Sequence, residues 1–74
     1  MFDVVYAERL VQYANRYRKR DNEVHMSLTI AESKFLAGDY KRTILLAERV
    51  LEEFDPAAIE RIKEQCARHS NNGQ

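Results

Sequence analysis

Gln12-Tyr13-Ala14-Asn15-Arg16-Tyr17-Arg18 is the stretch whose residue types and spacing come closest to chemistry. On a helix, Gln12, Asn15 and Arg16 stand at i, i+3 and i+4 and share one face. Tyr13 and Tyr17, also i and i+4, line up beside Tyr6 and Leu10. A face made only to be wet more typically carries Glu and Lys. Gln and Asn offer paired donors and acceptors, and Arg a planar fork of donors, a set suited to recognition. Groups that make or break bonds are missing. His25 and His69 have no His-x-x-x-His or Glu-x-x-His partner, and Cys66 sits on a thin apolar edge as a small packed side chain. Carboxylate pairs such as Glu48 and Glu52 read as exposed helix residues, and there is neither a Gly-rich phosphate loop nor a serine in a nucleophile context. The chain reads as non-catalytic, with no metal site and no cofactor.

The elements that must carry this face are limited by length. A chain of 74 residues supports one domain at most, near the size where a single core only just offsets chain entropy. One cysteine rules out an internal disulfide and the multi-cysteine zinc patterns, and fits a reducing, cytosolic compartment. No apolar run approaches the roughly 20 residues needed to cross a bilayer, and Met-Phe-Asp-Val-Val lacks the basic start of a signal peptide. Lys plus Arg and Asp plus Glu both number 12, so no overall field draws the chain to nucleic acid or anionic lipid. With two Gly and one Pro, the composition is that of a soluble helical protein.

The periodicity predicts four helices and no strand. The first runs from about Phe2 to Arg20, with Phe2, Tyr6, Leu10, Tyr13 and Tyr17 as a stripe that Ala7, Val11 and Ala14 widen. Arg16, Arg18, Lys19 and Arg20 crowd its last turn, where they complement the macrodipole. Asp21 or Asn22 caps a second helix with Val24, Leu28, Ala31 and Phe35 inward, and Gly38 ends it. Asp39 caps a third helix with Tyr40, Ile44, Ala47, Leu51 and Phe54 inward. Asp55-Pro56 starts a fourth, whose apolar edge is Ile59, Ile62 and Cys66. The short links at Arg20–Asn22 and Gly38-Asp39 impose antiparallel neighbours. The expected fold class is all-α: a small antiparallel bundle of three main helices, the first the longest, closed by a short fourth. The expected organisation is a single helical domain over residues 1–68, cut from a longer protein, and a disordered tail over residues 69–74.

The residues from Tyr6 to Ile62 resemble the C-terminal end of the EzrA family, the septation ring formation regulators of Gram-positive bacteria. The specific block is Leu10-Val11-Gln12-Tyr13-Ala14-Asn15-Arg16-Tyr17-Arg18, followed by Glu23-Val24-His25 and Ala31-Glu32-Ser33-Lys34-Phe35. Gly38-Asp39-Tyr40, Leu46-Ala47 and Phe54-Asp55-Pro56-Ala57-Ala58-Ile59 continue it. The resemblance implies a spectrin-like helical end piece and a partner, the tubulin-like division protein FtsZ, whose assembly the family restrains. It implies that the family's Gln-Asn-Arg patch falls on Gln12, Asn15 and Arg16, within a partner-binding run of Gln12, Tyr13, Asn15, Arg16, Tyr17 and Arg18. It also implies a location on the cytoplasmic face of the membrane at the septum, through an anchor outside this chain.

Blander readings stand beside that one. The Gln12–Arg16 face could be simply solvated, and the tyrosines core packing that continues the Leu10 stripe. The basic run Arg16–Arg20 lacks the aromatic platform of a nucleic-acid site, and Glu48, Glu52 and Glu53 offset it against anionic lipid. Ala31–Asp55 also reads as a lone tetratricopeptide-like hairpin, although Thr43 and Val50 replace small residues of that pattern. A structural end cap of a helical rod, or a piece that self-associates, completes the alternatives.

Overall fold

The computed structural model describes residues 2–72, with side chains through residue 68. The described residues form α1 (Phe2–Ala14), a 3-10 turn (Asn15–Tyr17), α2 (Asn22–Leu36), α3 (Tyr40–Phe54) and α4 (Pro56–Asn72), with no strand among them. Helix α3 is central, packing against α2 on one side and α1 on the other, and α4 closes over α1 and the end of α3. The result is the all-α antiparallel bundle expected, drawn out as a slab of 41 × 27 × 14 Å.

Two expectations about helix length change. The first helix stops at Ala14 instead of reaching Arg20, and the chain tightens into the 3-10 turn. Ala14 is the last fully buried residue of the stripe. Beyond it the Asn15 side-chain oxygen accepts from Arg18 Nε at 2.9 Å, a local bond that competes with continued helix. Arg16, Arg18, Lys19 and Arg20 therefore lie outside α1, whose last turn holds no basic residue. The fourth helix, expected to be short, is the longest at 17 residues. No breaker interrupts it before Gly73. The tail expected to be disordered from His69 thus begins within α4; Gly73 and Gln74 lie outside the described residues.

The turns follow their residue chemistry. Asp21 caps α2 by accepting from the Val24 N–H at 2.9 Å, and Asp39 caps α3 by accepting from the Arg42 N–H at 3.2 Å. At the end of α2, the Gly38 N–H donates to Phe35 and the Asp39 N–H to Lys34, at 3.0 and 2.8 Å. That Schellman arrangement needs a left-handed residue, and Gly38 supplies it at φ 85°. Asp55 alone separates α3 from α4: its N–H donates to Leu51 at 2.7 Å, and its carbonyl accepts from Ala58 at 3.0 Å. Pro56 follows as the first residue of α4, where a missing N–H costs nothing.

The core is one layer of side chains running from Tyr6, Leu10 and Ala14 through Leu28, Ala31, Ala47 and Leu51 to Ile59, Ile62 and Cys66. Val50, Ala58 and Thr43 join it without having been expected inward. Thr43 is fully buried, and its hydroxyl lies 3.2 Å from the Ala31 carbonyl and 2.9 Å from that of Asp39. A polar group is tolerated there because it is satisfied by the backbone of α2 and of its own helix start. Phe35 and Tyr40, expected inward, are half-buried and pack edge to face on each other at 5.3 Å.

Two tyrosine hydroxyls fasten α1 to the rest. Tyr6, buried, donates to Glu48 Oε2 at 2.6 Å. Burial first and the Glu48 bond second push its pKa well above the ordinary phenol value. Tyr13 donates to Asp55 Oδ2 at 2.7 Å and accepts from Arg61 Nη2 at 3.2 Å. The Tyr13 hydroxyl bond, with Arg61 assisting, holds the Asp55 carboxyl below the usual carboxylate range, and the same bond raises the Tyr13 pKa.

Because Asp55 is more acidic folded than unfolded, its contribution is complete above the unfolded carboxylate pKa near ~4 and fades as pH falls through the folded value. Tyr13→Phe should flatten this acid limb, so that parent and variant melting temperatures converge as pH drops below about 4; thermal melts across a pH series read this directly. A Cβ on Gly38 would meet nothing within 4 Å, so its penalty is conformational alone. Gly38→Ala should cost about 1 kcal/mol in urea unfolding and Gly38→Asn less, since Asn tolerates the left-handed region.

Candidate functional site

The six residues expected to bind a partner sit where α1 ends and the chain turns toward α2, and the structure sorts them by how free they are. Gln12 and Arg16 are exposed and make no side-chain hydrogen bond to other described residues. Asn15 is exposed too, but its side-chain oxygen is engaged by Arg18 Nε at 2.9 Å, which leaves its amide NH2 to face outward. Arg18 is turned in. Its guanidinium pairs with Glu32 Oε2 at 2.7 Å, lies 3.3 Å from the Thr29 hydroxyl and 3.5 Å from His25 Nδ1, and so clips the turn onto α2. Tyr17 is half-buried and stacks on Phe54 with centroids 4.9 Å apart and planes 8° from parallel. Tyr13 is half-buried with its hydroxyl committed to Asp55.

Arg16 is not loose. Its guanidinium carbon lies 3.9 Å from the Tyr13 ring centroid, a cation–π contact that orients the fork while its N–H groups stay free. Tyr13 is itself held by Asp55 and Arg61, so the orientation of Arg16 traces back to the α3–α4 corner. The Gln12–Asn15–Arg16 face is therefore one row of outward donors and acceptors on a short ridge, with the tyrosines as its foundation.

Grooves flank the ridge on both sides. Toward α2, Glu8, Val11, Gln12, Asn15, Glu32, Phe35 and Leu36 line a mainly apolar groove of about 360 Å3. Leu36 stands 86% exposed at its far wall. Toward α4, Arg9, Gln12, Tyr13, Ile62 and Gln65 line a second groove of about 270 Å3. Gln12 borders both. Arg9 was legible in principle, since Arg9, Gln12 and Arg16 recur at i, i+3 and i+7. Arg61 and Gln65 were not, because only the packing of α4 on α1 brings them alongside.

Cys66 is buried, and burial raises its pKa, which keeps the thiol protonated and unreactive. Among the described residues no cluster of His, Cys, Asp or Glu could hold a metal ion, and no helix is long and apolar enough to cross a membrane.

The model of the family described as "Septation ring formation regulator, EzrA" matches residues 1–66. The septation ring formation regulator EzrA of Staphylococcus aureus strain Mu3 is 46% identical over 65 residues, which is 88% of this chain and 12% of that protein. The protein of the same name from Staphylococcus epidermidis is also 46% identical over 65 residues, with the same coverage. The chain thus spans about an eighth of the length of these relatives. No solved structure matches it. The match takes in the whole of the ridge and its tyrosine foundation, and the chain belongs to the EzrA family of septation ring formation regulators.

Proposed function

We propose that this chain is a non-catalytic docking piece of a septation regulator, contacting the division protein FtsZ through the Gln12–Asn15–Arg16 face and so modulating ring assembly at the division site. The observation that carries the reading is the pairing of family membership with a ridge whose Gln12 and Arg16 are exposed and unengaged by hydrogen bonds while the residues beneath them are fixed. A donor set held in place before contact loses little side-chain freedom on binding. Arg16 would meet a carboxylate or carbonyl of the partner, and Gln12 and the Asn15 amide would meet backbone groups. The partner and its location come from the resemblance of Leu10–Arg18 to the family's patch. On the same basis, attachment to the membrane belongs to parts of the protein outside this chain.

One observation favours a second reading. Tyr13, Tyr17, Arg18 and the oxygen of Asn15 are all used internally, which is what a structural end cap of a helical rod would require. The two readings assign different residues to loss of function. A docking face depends on Gln12 and Arg16, whereas an end cap depends on Tyr13 and Arg18.

The decisive comparison is binding of the labelled chain to purified FtsZ by parent, Gln12→Ala/Arg16→Ala and Arg18→Ala. The first variant should keep the parent's melting temperature to within a few degrees and weaken binding by about tenfold or more. Arg18→Ala should lower the melting temperature, because it opens the clip to Glu32, and should affect binding only as far as it unfolds the turn. Equal affinity of parent and folded double variant removes the docking reading.

A further inference from the structure

We propose that the outer side of α2 is an interface for a second copy of this chain, which lays its own α2 antiparallel across it. The inference stands apart from the docking reading, because it concerns the side of α2 turned away from the bundle and uses none of Gln12, Asn15 and Arg16.

Helix α2 carries two rows of the same spacing. The inner row is Val24, Leu28, Ala31 and Phe35, at i, i+4, i+7 and i+11, and it packs into the bundle. Two residues on, Met26, Ile30, Ser33 and Ala37 repeat that spacing on the opposite side, and all four are exposed. Of the large apolar side chains exposed among the described residues, Met26, Ile30 and Leu36 belong to α2, whereas α3 has Leu45 alone. A helix apolar on both sides ordinarily packs on both, and the bundle occupies one.

The charges beside the outer row select its occupant. Glu23 stands at its start and Lys34 near its end, within about 20° of each other around the helix, so both mark the same edge. Neither forms an ion pair among the described residues. Their neighbours do not cancel this pattern. Arg49 and Glu53 share the α2–α3 groove with Glu23 and offset each other, Arg20 covers Phe54 at 5.8 Å, and Arg42 pairs with Asp39 at 3.6 Å. An antiparallel second copy brings its Lys34 beside Glu23 and its Glu23 beside Lys34, two ion pairs from one twofold axis. The same register sets Met26 of each copy on Ile30 of the other, and it opposes the two helix macrodipoles. A parallel copy would set like charges against each other, and a planar anionic membrane would attract one end of the row and repel the other. The row spans about 17 Å of one helix, too short to bury the roughly 1,200–2,000 Å2 of a long-lived complex. The dimer is therefore weak and forms reversibly with concentration.

The test is sedimentation equilibrium of the chain from low-micromolar to millimolar concentration, with circular dichroism as the check on folding. The parent should pass from monomer to dimer. Met26→Ser/Ile30→Ser should stay folded, since both side chains are exposed, and weaken association by about tenfold or more. Leu36→Ser, exposed but facing the α1–α2 groove, should leave association unchanged. Glu23→Lys and Lys34→Glu, each alone, should weaken it, and an equimolar mixture of the two should restore it, because each variant then meets its complement. If a charge reversal unfolds the chain, Glu23→Gln/Lys34→Gln should show the same weakening and remove the salt dependence of the parent dimer. A monomer throughout overturns the proposal. So does a dimer indifferent to Met26 and Ile30, or one that Leu36→Ser weakens equally. Folded charge variants that associate as well as the parent, or a mixture no better than its components, overturn it as well.

Discussion

The hydrogen bond from the Tyr13 hydroxyl to Asp55 joins the three parts of the molecule that shape the Gln12–Asn15–Arg16 face. Tyr13 is near the end of α1, Asp55 is the single residue between α3 and α4, and Arg61, one turn into α4, reaches both of them. One phenol thus fixes where α1 ends relative to the α3–α4 corner. Its ring face is then available as a platform for Arg16. If the hydroxyl were replaced by hydrogen, Asp55 would keep Arg61, but the ring would lose its polar tether and Arg16 its fixed support. Structure and surface are coupled through one side chain.

The arginines show how position decides what a charge does. Arg18 is spent on architecture: a bond to Asn15, a second to Thr29 and an ion pair with Glu32 close the reversal between α1 and α2. Arg20 lies 5.8 Å over Phe54, the ring on which Tyr17 stacks, and so covers the outside of an aromatic pair. Arg16, two residues before Arg18, faces the other way and keeps its donors. Residues two apart on a helix or a 3-10 turn already point well away from each other, and the basic run becomes a set of separate roles instead of a patch. This is why the run does not present one continuous basic stripe even though its composition suggests one.

Much of the fold was legible from spacing and caps. Gly38, Asp39 and Asp21 act in the structure as their residue types require, because these are local effects of backbone geometry that no distant contact overrides. The ends of α1 and α4 were less legible, since helix boundaries depend on competition between local side-chain bonds and tertiary packing. Asn15 and Arg18 carry that competition at α1. Asp55 illustrates the limit from the other side. Its type and the following Pro mark a helix start correctly, yet its carboxylate is recruited by Tyr13, 42 residues earlier. Thr43 looked like a departure from a repeat pattern and is instead a buried tie to the Ala31 carbonyl. At the candidate site, the residues on α1 could be named from sequence, whereas the contribution of α4 exists only once the helices are packed.

A domain this small sets its surface side chains directly on those that hold it together. With a core one layer thick, the edge tyrosines supply a sizeable share of the burial that holds α1 in place. The same tyrosines set the direction of the donors outside them. Loss of binding on mutating Tyr13, Tyr17 or Arg18 would therefore say little about contact, because each change also loosens the turn that presents Gln12 and Arg16. Gln12, Arg16 and Arg9 are the positions at which surface chemistry can be altered with the foundation intact, since their side chains point away from the core and hold no other element in place. That separation begins in the α1 periodicity, with positions 9 and 12 in the outer row and 6, 10 and 13 in the inner one, and the 3-10 turn continues it with Arg16 exposed and Tyr17 half-buried. The outer row is free to change only because the row beneath it is fixed.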